Sequence, residues 1–241
     1  MTQASESVAL ITGASSGIGR ATALAFAQAG FSLQLVSRAA ERLEPVVNQA
    51  TAYGVSVRAC PLDLAAVATI RPRLTTFFEE HGTPDVVINN AGMAYTGALA
   101  EMPLPDWQQL FDLNLTSVLQ CIQAVLPGMR QKGTGLIVNV ASIAAKQAFP
   151  DWGAYCASKA ALLALSKVVA MEERAHGIRV SVISPGSVRT GIWDTPTVHV
   201  DFDRSSMLDP EVVAQAILQL ALVPPAAVVE EITLLPSVGT F

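Results

Sequence analysis

Short apolar runs recur along the chain, separated by longer segments in which apolar residues return every three or four positions. The runs read as strands covered on both faces, and the longer segments as helices. The first run covers 8–12. It ends in the glycine-rich turn Gly13-Ala14-Ser15-Ser16-Gly17-Ile18-Gly19-Arg20, which opens an alanine-rich helix ending near Ala29. A second strand covers 33–36, a surface helix 40–53 and a third strand 55–59. Asp63 and Leu64 then begin a turn in which Asp63 can serve as a helix N-cap. A fourth strand, 86–89, runs into Asn90-Ala91-Gly92. The helical pattern over 105–126 is apolar on nearly every side from 110 onward, which predicts burial all round. Asn114, in its middle, needs either an internal hydrogen bond or a local opening of the helix. A fifth strand covers 136–140, with Ser142 just past its end. A helix runs over 154–176, where no Pro or Gly interrupts, and a sixth strand covers 179–183. Pro185-Gly186-Ser187-Val188-Arg189-Thr190 follows that strand. No period is visible over 191–207, which contains Trp193, His199 and Phe202. A helix over 210–222 and a strand over 231–235 close the chain. This alternation predicts one doubly wound α/β domain over residues 1–241, with no linker and with a lid loop around 191–208.

Bulk properties narrow the partners. The 241 residues are 51% hydrophobic and carry a net charge of −5, which speaks against nucleic acid. The first seven residues are polar and hold no apolar signal core. No run of about 18 consecutive apolar residues occurs, so no membrane span is expected. The three cysteines are far apart and odd in number, which fits a reducing cytoplasm without disulfides. The three histidines have no metal-ligand spacing, so no metal is expected.

Chemistry concentrates at the strand ends. In Tyr155-Cys156-Ala157-Ser158-Lys159, the four-residue step from Tyr to Lys stacks both side chains on one helix face. An ammonium near a phenol favours the phenolate, and a general acid or base works best with a pKa near the working pH. Strand, glycine-rich turn and helix together present backbone N–H groups to a phosphate. The spacing here is Gly-x-x-x-Gly-x-Gly rather than the Gly-x-Gly-x-x-Gly of the dinucleotide fingerprint. After the second strand stand Ser37 and Arg38, with no acid before Glu41; an Arg here accommodates the 2′-phosphate of NADP. Ligands of open parallel sheets bind beyond the C-terminal strand ends, which places Asn90 and Ser142 on the functional edge.

These residues resemble the short-chain dehydrogenase/reductase family over nearly the whole chain. The family's Thr-Gly-x-x-x-Gly-x-Gly turn stands at 12–19 and its Asn-Asn-Ala-Gly element at 89–92. Its Asn-Ser-Tyr-Lys tetrad falls on Asn114, Ser142, Tyr155 and Lys159, and its Pro-Gly-x-Val-x-Thr element on 185–190. The resemblance implies a seven-stranded parallel Rossmann-type sheet with helices on both faces. It implies bound NADP(H), held by Gly13, Ser15, Ser16, Gly17, Ile18, Gly19, Ser37, Arg38, Asp63, Leu64, Asn90, Ala91, Gly92, Tyr155, Lys159, Pro185, Gly186, Val188 and Thr190. The implied reaction interconverts a ketone or aldehyde and its alcohol. In it Tyr155 exchanges the proton, Ser142 bonds the carbonyl oxygen and Lys159 lowers the Tyr155 pKa and holds the nicotinamide ribose. Asn114 orders a water for proton return, and Cys156 is a small packing residue. Loop residues near Met93, Tyr95, Phe149, Trp152 and Trp193 suggest an apolar or aromatic substrate. The ending 236–241 does not resemble the glycine-rich ending of bacterial 3-oxoacyl-carrier-protein reductases. A catalytically silent NADP-binding regulatory or structural protein on the same fold is the alternative. A homotetramer or homodimer, with dimers built on paired long helices, is expected.

Overall fold

The computed structural model describes residues 7–200 and 204–239. The sheet consists of β1 (Val8–Thr12), β2 (Ser32–Ser37), β3 (Val57–Pro61), β4 (Val86–Asn89), β5 (Gly135–Val140), β6 (Ile178–Pro185) and β7 (Glu231–Leu234). The order across the sheet is β3-β2-β1-β4-β5-β6-β7, and every neighbouring pair is parallel. Successive residues of a strand point to opposite faces. Ala9, Ile11, Leu33, Leu35, Ile88 and Val138 therefore pack on one side with α1 (Gly17–Gln28), α2 (Ala40–Thr51) and α7 (Pro210–Leu222). Leu10, Val36, Val87, Ile137 and Val182 pack on the other with α3 (Val67–His81), α5 (Ser117–Lys132) and α6 (Gly153–Glu173). This is the expected doubly wound Rossmann-type α/β fold. Strand order reverses between β1 and β4, so their C-terminal ends diverge into a crevice.

The structure departs from the sequence reading in several places. β3 starts two residues later than expected, at Val57. α3, which was not singled out, buries Ile70, Leu74 and Phe78 at four-residue steps despite Pro72 inside it. Asp63 is not its N-cap: Asp63 Oδ1 accepts the Ala65 N–H at 3.0 Å, and Ala66 precedes the helix. The long pattern over 105–126 is divided into α4 (Leu104–Phe111), a π-helical turn (Asp112–Thr116) and α5.

Burial of that segment is one-sided rather than all round. Val118, Cys121, Ile122 and Val125 enter the core, while Leu113, Leu115, Leu119 and Leu126 stay half-buried. By length and composition alone, Leu104–Lys132 and Gly153–His176 could each cross a membrane, with 44% and 39% of their apolar windows buried. An uninterrupted apolar run is a stricter criterion than mean hydropathy, and neither segment meets it. Both pack their inner faces against the sheet. Met1–Glu6, Asp201–Asp203, Thr240 and Phe241 lie outside the described residues, so the expectations for the polar N-terminus, Phe202 and the end of the chain fall there wholly or in part.

Candidate active site

A cleft of about 680 Å³ opens at the C-terminal edge of the sheet. Every residue expected to hold the cofactor or take part in the chemistry lines it except Gly19 and Asn114. Both lie directly behind the lining. A Cβ on Gly19 would stand 2.3 Å from the Gly13 carbonyl oxygen and 2.5 Å from Asn90 Nδ2. The absence of a side chain at 19 lets α1 start against the turn after β1. A Cβ on Gly92 would meet Asn114 Oδ1 at 3.0 Å.

The ends of β1 and β4 are tied by side chains. Thr12 Oγ1 accepts the N–H groups of Asn90 (2.9 Å) and Ala91 (3.0 Å), and Asn90 Nδ2 donates to the Thr12 carbonyl at 2.9 Å. This pairing holds the crevice walls apart at a fixed width. Ser16 places no side chain on the first turn of α1, so the leading N–H groups are left for a ligand. The Ser187 hydroxyl, on a cleft-lining residue just past β6, is buried without a protein partner. Open helix donors, an orphaned hydroxyl and cationic side chains at one end suit a dinucleotide. At that end Ser37 Oγ donates to Ser15 Oγ at 3.2 Å, so its proton is already engaged. Arg38 is exposed at the cleft, and so is Arg42 on α2. Arg42 and Ser187 were not selected from the sequence. The four-residue step from Arg38, at the start of a helix, was the available signal for Arg42.

The four tetrad residues come together around α6. Asn114 is fully buried in the π-helical turn, and both readings of it hold: the helix opens there, and the amide is satisfied. Its Oδ1 accepts the Met93 N–H at 2.9 Å, and its Nδ2 donates to the Met93 carbonyl (2.9 Å) and to Ser158 Oγ (3.1 Å). Ser158 Oγ donates to the Tyr155 carbonyl at 2.8 Å. The amide nitrogen thus has no donor left for water. Ser142 Oγ accepts the Ala144 N–H at 3.1 Å, which leaves its own proton for Tyr155 or a ligand. Lys159 Nζ donates to the Val140 carbonyl at 3.0 Å and stands 5.9 Å from the Tyr155 ring centroid.

The segment over 191–200 is not irregular surface. Gly191–Asp194 form a short helical turn, and Trp193 Nε1 donates to the Val188 carbonyl at 2.7 Å. Thr197 Oγ1 donates to the Ala94 carbonyl (2.7 Å), and the His199 N–H donates to Thr96 Oγ1 (2.7 Å). Met93, Phe149, Trp152 and Trp193 line the cleft. Tyr95 does not; it is paired with Asp106 instead.

The family model for short chain dehydrogenase matches residues 7–198. This chain belongs to the short-chain dehydrogenase family. A 3-oxoacyl-[acyl-carrier-protein] reductase of Synechocystis sp. is 33% identical, over 94% of this chain and 94% of its own length. Glycine betaine reductase of Emericella nidulans is 31% identical over 95% of this chain, which spans only 18% of that protein. The structure of an alcohol dehydrogenase from the archaeon Thermococcus sibiricus complexed with 5-hydroxy-NADP has a TM-score of 0.88 and 29% identity, covering 97% of each chain. As a short-chain dehydrogenase the protein is an NAD(P)-dependent oxidoreductase.

The electrostatics of the dehydrogenase site correct one expectation. Lys159 was expected to acidify Tyr155, yet burial pushes the Tyr155 hydroxyl up to about 12. Of its neighbours, the Ser142 hydroxyl pulls it down and Cys156 pushes it up. Burial also pushes the Lys159 ammonium down to about 8. Removal of water disfavours both charged forms, and it is the largest influence on each. Cys156 itself is buried, with its Sγ directed at the Gln147 carbonyl, as a packing residue would be.

Lys159 therefore sets a pH dependence of stability. Its pKa falls from 10.5 in the unfolded chain to about 8 in the fold, so between those values the unfolded state binds more protons and stability rises with pH. Below pH 8 the penalty is complete. Lys159→Met is expected to be more stable than the parent at pH 7 by roughly 1–3 kcal/mol in the cofactor-free protein. The difference should shrink as pH rises from 8 to 10.5. Urea unfolding across this range checks it, and a difference independent of pH would show that Lys159 titrates as a solvated amine.

Proposed function

We propose that this short-chain dehydrogenase interconverts a ketone or aldehyde and its alcohol, with Tyr155 as proton donor and acceptor and NADP(H) as the preferred cofactor. The observation that carries the reading is the convergence of the Ser142 and Tyr155 hydroxyls and buried Lys159 on one wall of the cleft. The opposite end holds the open start of α1 with Arg38 and Arg42. When bound, the nicotinamide supplies or takes the hydride. Tyr155, held protonated at neutral pH by a pKa of about 12, gives its proton to the carbonyl oxygen in reduction. Ser142, whose hydroxyl also bonds Tyr155, turns its O–H to that oxygen and stabilises the developing charge. Once Tyr155 has lost its proton, the Lys159 ammonium gains an anionic neighbour and returns toward its ordinary pKa. Because the Asn114 amide is engaged with Met93 and Ser158, its part in proton return falls to the main chain of the opened turn. The 191–208 segment acts as a lid over the substrate.

Tyr155→Phe keeps the ring and removes the hydroxyl. Turnover is expected to fall ~10²–10⁴-fold, while NADPH affinity, read by fluorescence titration, stays within about 3-fold because the variant keeps Lys159. A variant keeping a tenth of the parent rate with the same pH profile would sink the assignment. Tight NADPH binding by the parent with no turnover on any carbonyl would instead favour the silent cofactor-binding alternative.

Cofactor choice rests on the end of β2. An acid there would repel the 2′-phosphate, whose charge is roughly −2 near pH 7. Arg38 and Arg42 can meet its oxygens with charge-assisted bonds. NADP(H) is expected to bind at least ~10-fold more tightly than NAD(H), with the margin reduced by salt because both arginines are exposed. Titration with both cofactors decides it, and equal affinities would make the two arginines ordinary solvated charges.

The half-buried outer face of α5 and the exposed Val168 and Met171 of α6 suit a self-complementary interface, because apolar stripes left uncovered mark association. The proposed assembly is a dimer or tetramer built on these helices. Light scattering at micromolar concentration is expected to show no monomer, and a monomer would overturn the assembly.

A further inference from the structure

Charge is distributed unevenly along the cleft. Its charged lining consists of Arg38, Arg42 and Asp63 at the β2 and β3 ends and Lys159 beneath Tyr155. Beyond Tyr155 the wall is Met93, Phe149, Trp152, Ile192, Trp193 and Pro196, with no charged side chain. Among the polar residues of the lining, Gln109 of α4 keeps an exposed amide, whereas two threonines are engaged. Thr195 Oγ1 donates to the Ile192 carbonyl (2.9 Å) and Thr197 Oγ1 to the Ala94 carbonyl (2.7 Å), so both hydroxyl protons are engaged. The exposed charges beside the rings are mixed: Asp151 precedes Trp152, and Asp194 follows Trp193 and pairs at 2.8 Å with Arg204, which also donates to the Trp193 carbonyl at 3.4 Å.

The rings themselves are arranged as a corner. Trp152 lies 5.6 Å from Tyr155 and 5.7 Å from Trp193 between centroids, at 69° to each. The Trp193 indole is fixed by its bond to the Val188 carbonyl. Rigid aromatic walls bind with little loss of conformational freedom, and ring pairs favour edge-to-face or offset stacking. Resting on the carbonyl-reducing reading above, we infer that the substrate is an uncharged carbonyl compound with an aromatic ring next to the carbonyl, seated against Trp152 and Trp193, and that Trp193 is the specificity-determining residue. Carboxylates and phosphates would lose hydration here and find no cation lining this end of the cleft in return.

The test compares acetophenone, 2-heptanone, 2-butanone and pyruvate under saturating NADPH, with parent, Trp193→Ala and Trp193→Phe proteins. The parent is expected to prefer acetophenone over 2-heptanone by on the order of 10-fold in kcat/KM and to turn over pyruvate least. Trp193→Ala should lower the acetophenone to 2-butanone ratio of kcat/KM by about 10-fold or more, mostly through KM for acetophenone. Trp193→Phe keeps a ring without the indole N–H and should retain most of the preference, which separates the ring from its bond to Val188. Equal use of acetophenone and 2-heptanone, or a Trp193→Ala loss uniform across substrates, overturns the inference while carbonyl reduction stands. Calorimetric binding of acetophenone to the NADP⁺ complex reports on the corner without turnover. Binding weakened by Trp193→Ala in a protein that reduces nothing would support the corner and overturn the catalytic reading instead.

Discussion

The Lys159 ammonium, 5% exposed and hydrogen-bonded to the Val140 carbonyl, is the interaction on which the rest of the site depends. A buried cation is unfavourable unless its partners are fixed in advance. Its one protein hydrogen bond joins the C-terminal end of β5 to α6, so the axial position of that helix on the sheet must be set elsewhere. A ladder of buried polar groups sets it. Asn89 Nδ2 donates to Asn139 Oδ1 (2.8 Å) and Asn139 Nδ2 to Ser166 Oγ (2.8 Å). Ser166 Oγ donates onward to the Leu162 carbonyl at 2.7 Å. Two helical turns nearer the cleft, Asn114 and Ser158 make a second lock. With both locks made, Tyr155 and Lys159 have one permitted position relative to Ser142. Apolar packing alone would tolerate a slide of the helix; directional hydrogen bonds in a dry core do not.

The same logic governs the crevice at β1 and β4. Thr12 and Asn90 satisfy each other's backbone and side-chain groups across the switch point, and the missing side chain at Gly19 lets α1 begin against them. The open helix donors then face space whose width is fixed by bonds on its floor. The segment 90–93 joins this end of the cleft to the other: Asn90 is bonded to Thr12, and Met93 to Asn114 behind the Tyr155 wall.

Much of this was legible in the chain because the informative elements are short and local. Apolar runs mark the strands, glycines mark the turn, and a four-residue step marks the Tyr155–Lys159 face. What escaped has a physical reason in each case. α3 hides its Ile70, Leu74 and Phe78 stripe behind Pro72 and a polar exterior, so periodicity there is weak. The division of the long helix at Asp112–Thr116 follows from tertiary demand: Met93, after β4, needs Asn114's amide, and no local propensity records that. Arg42 joins Arg38 only because α2 begins immediately after β2. The direction of the Tyr155 shift depends on how much water the folded cleft excludes, and spacing along a helix carries no information about burial.

That last point bears on how one wall can serve both directions of a proton transfer. Burial moves the phenol up to about 12 and the ammonium down to about 8, so the resting site favours a neutral phenol beside a weakly held ammonium. In the proposed reaction, transfer of the phenol proton to substrate would place an anion beside the ammonium, and their attraction would offset part of the desolvation that burial imposes on both. A phenol held at about 12 gives its proton up only to an oxygen made strongly basic by the reaction itself, which ties the transfer to the chemical step.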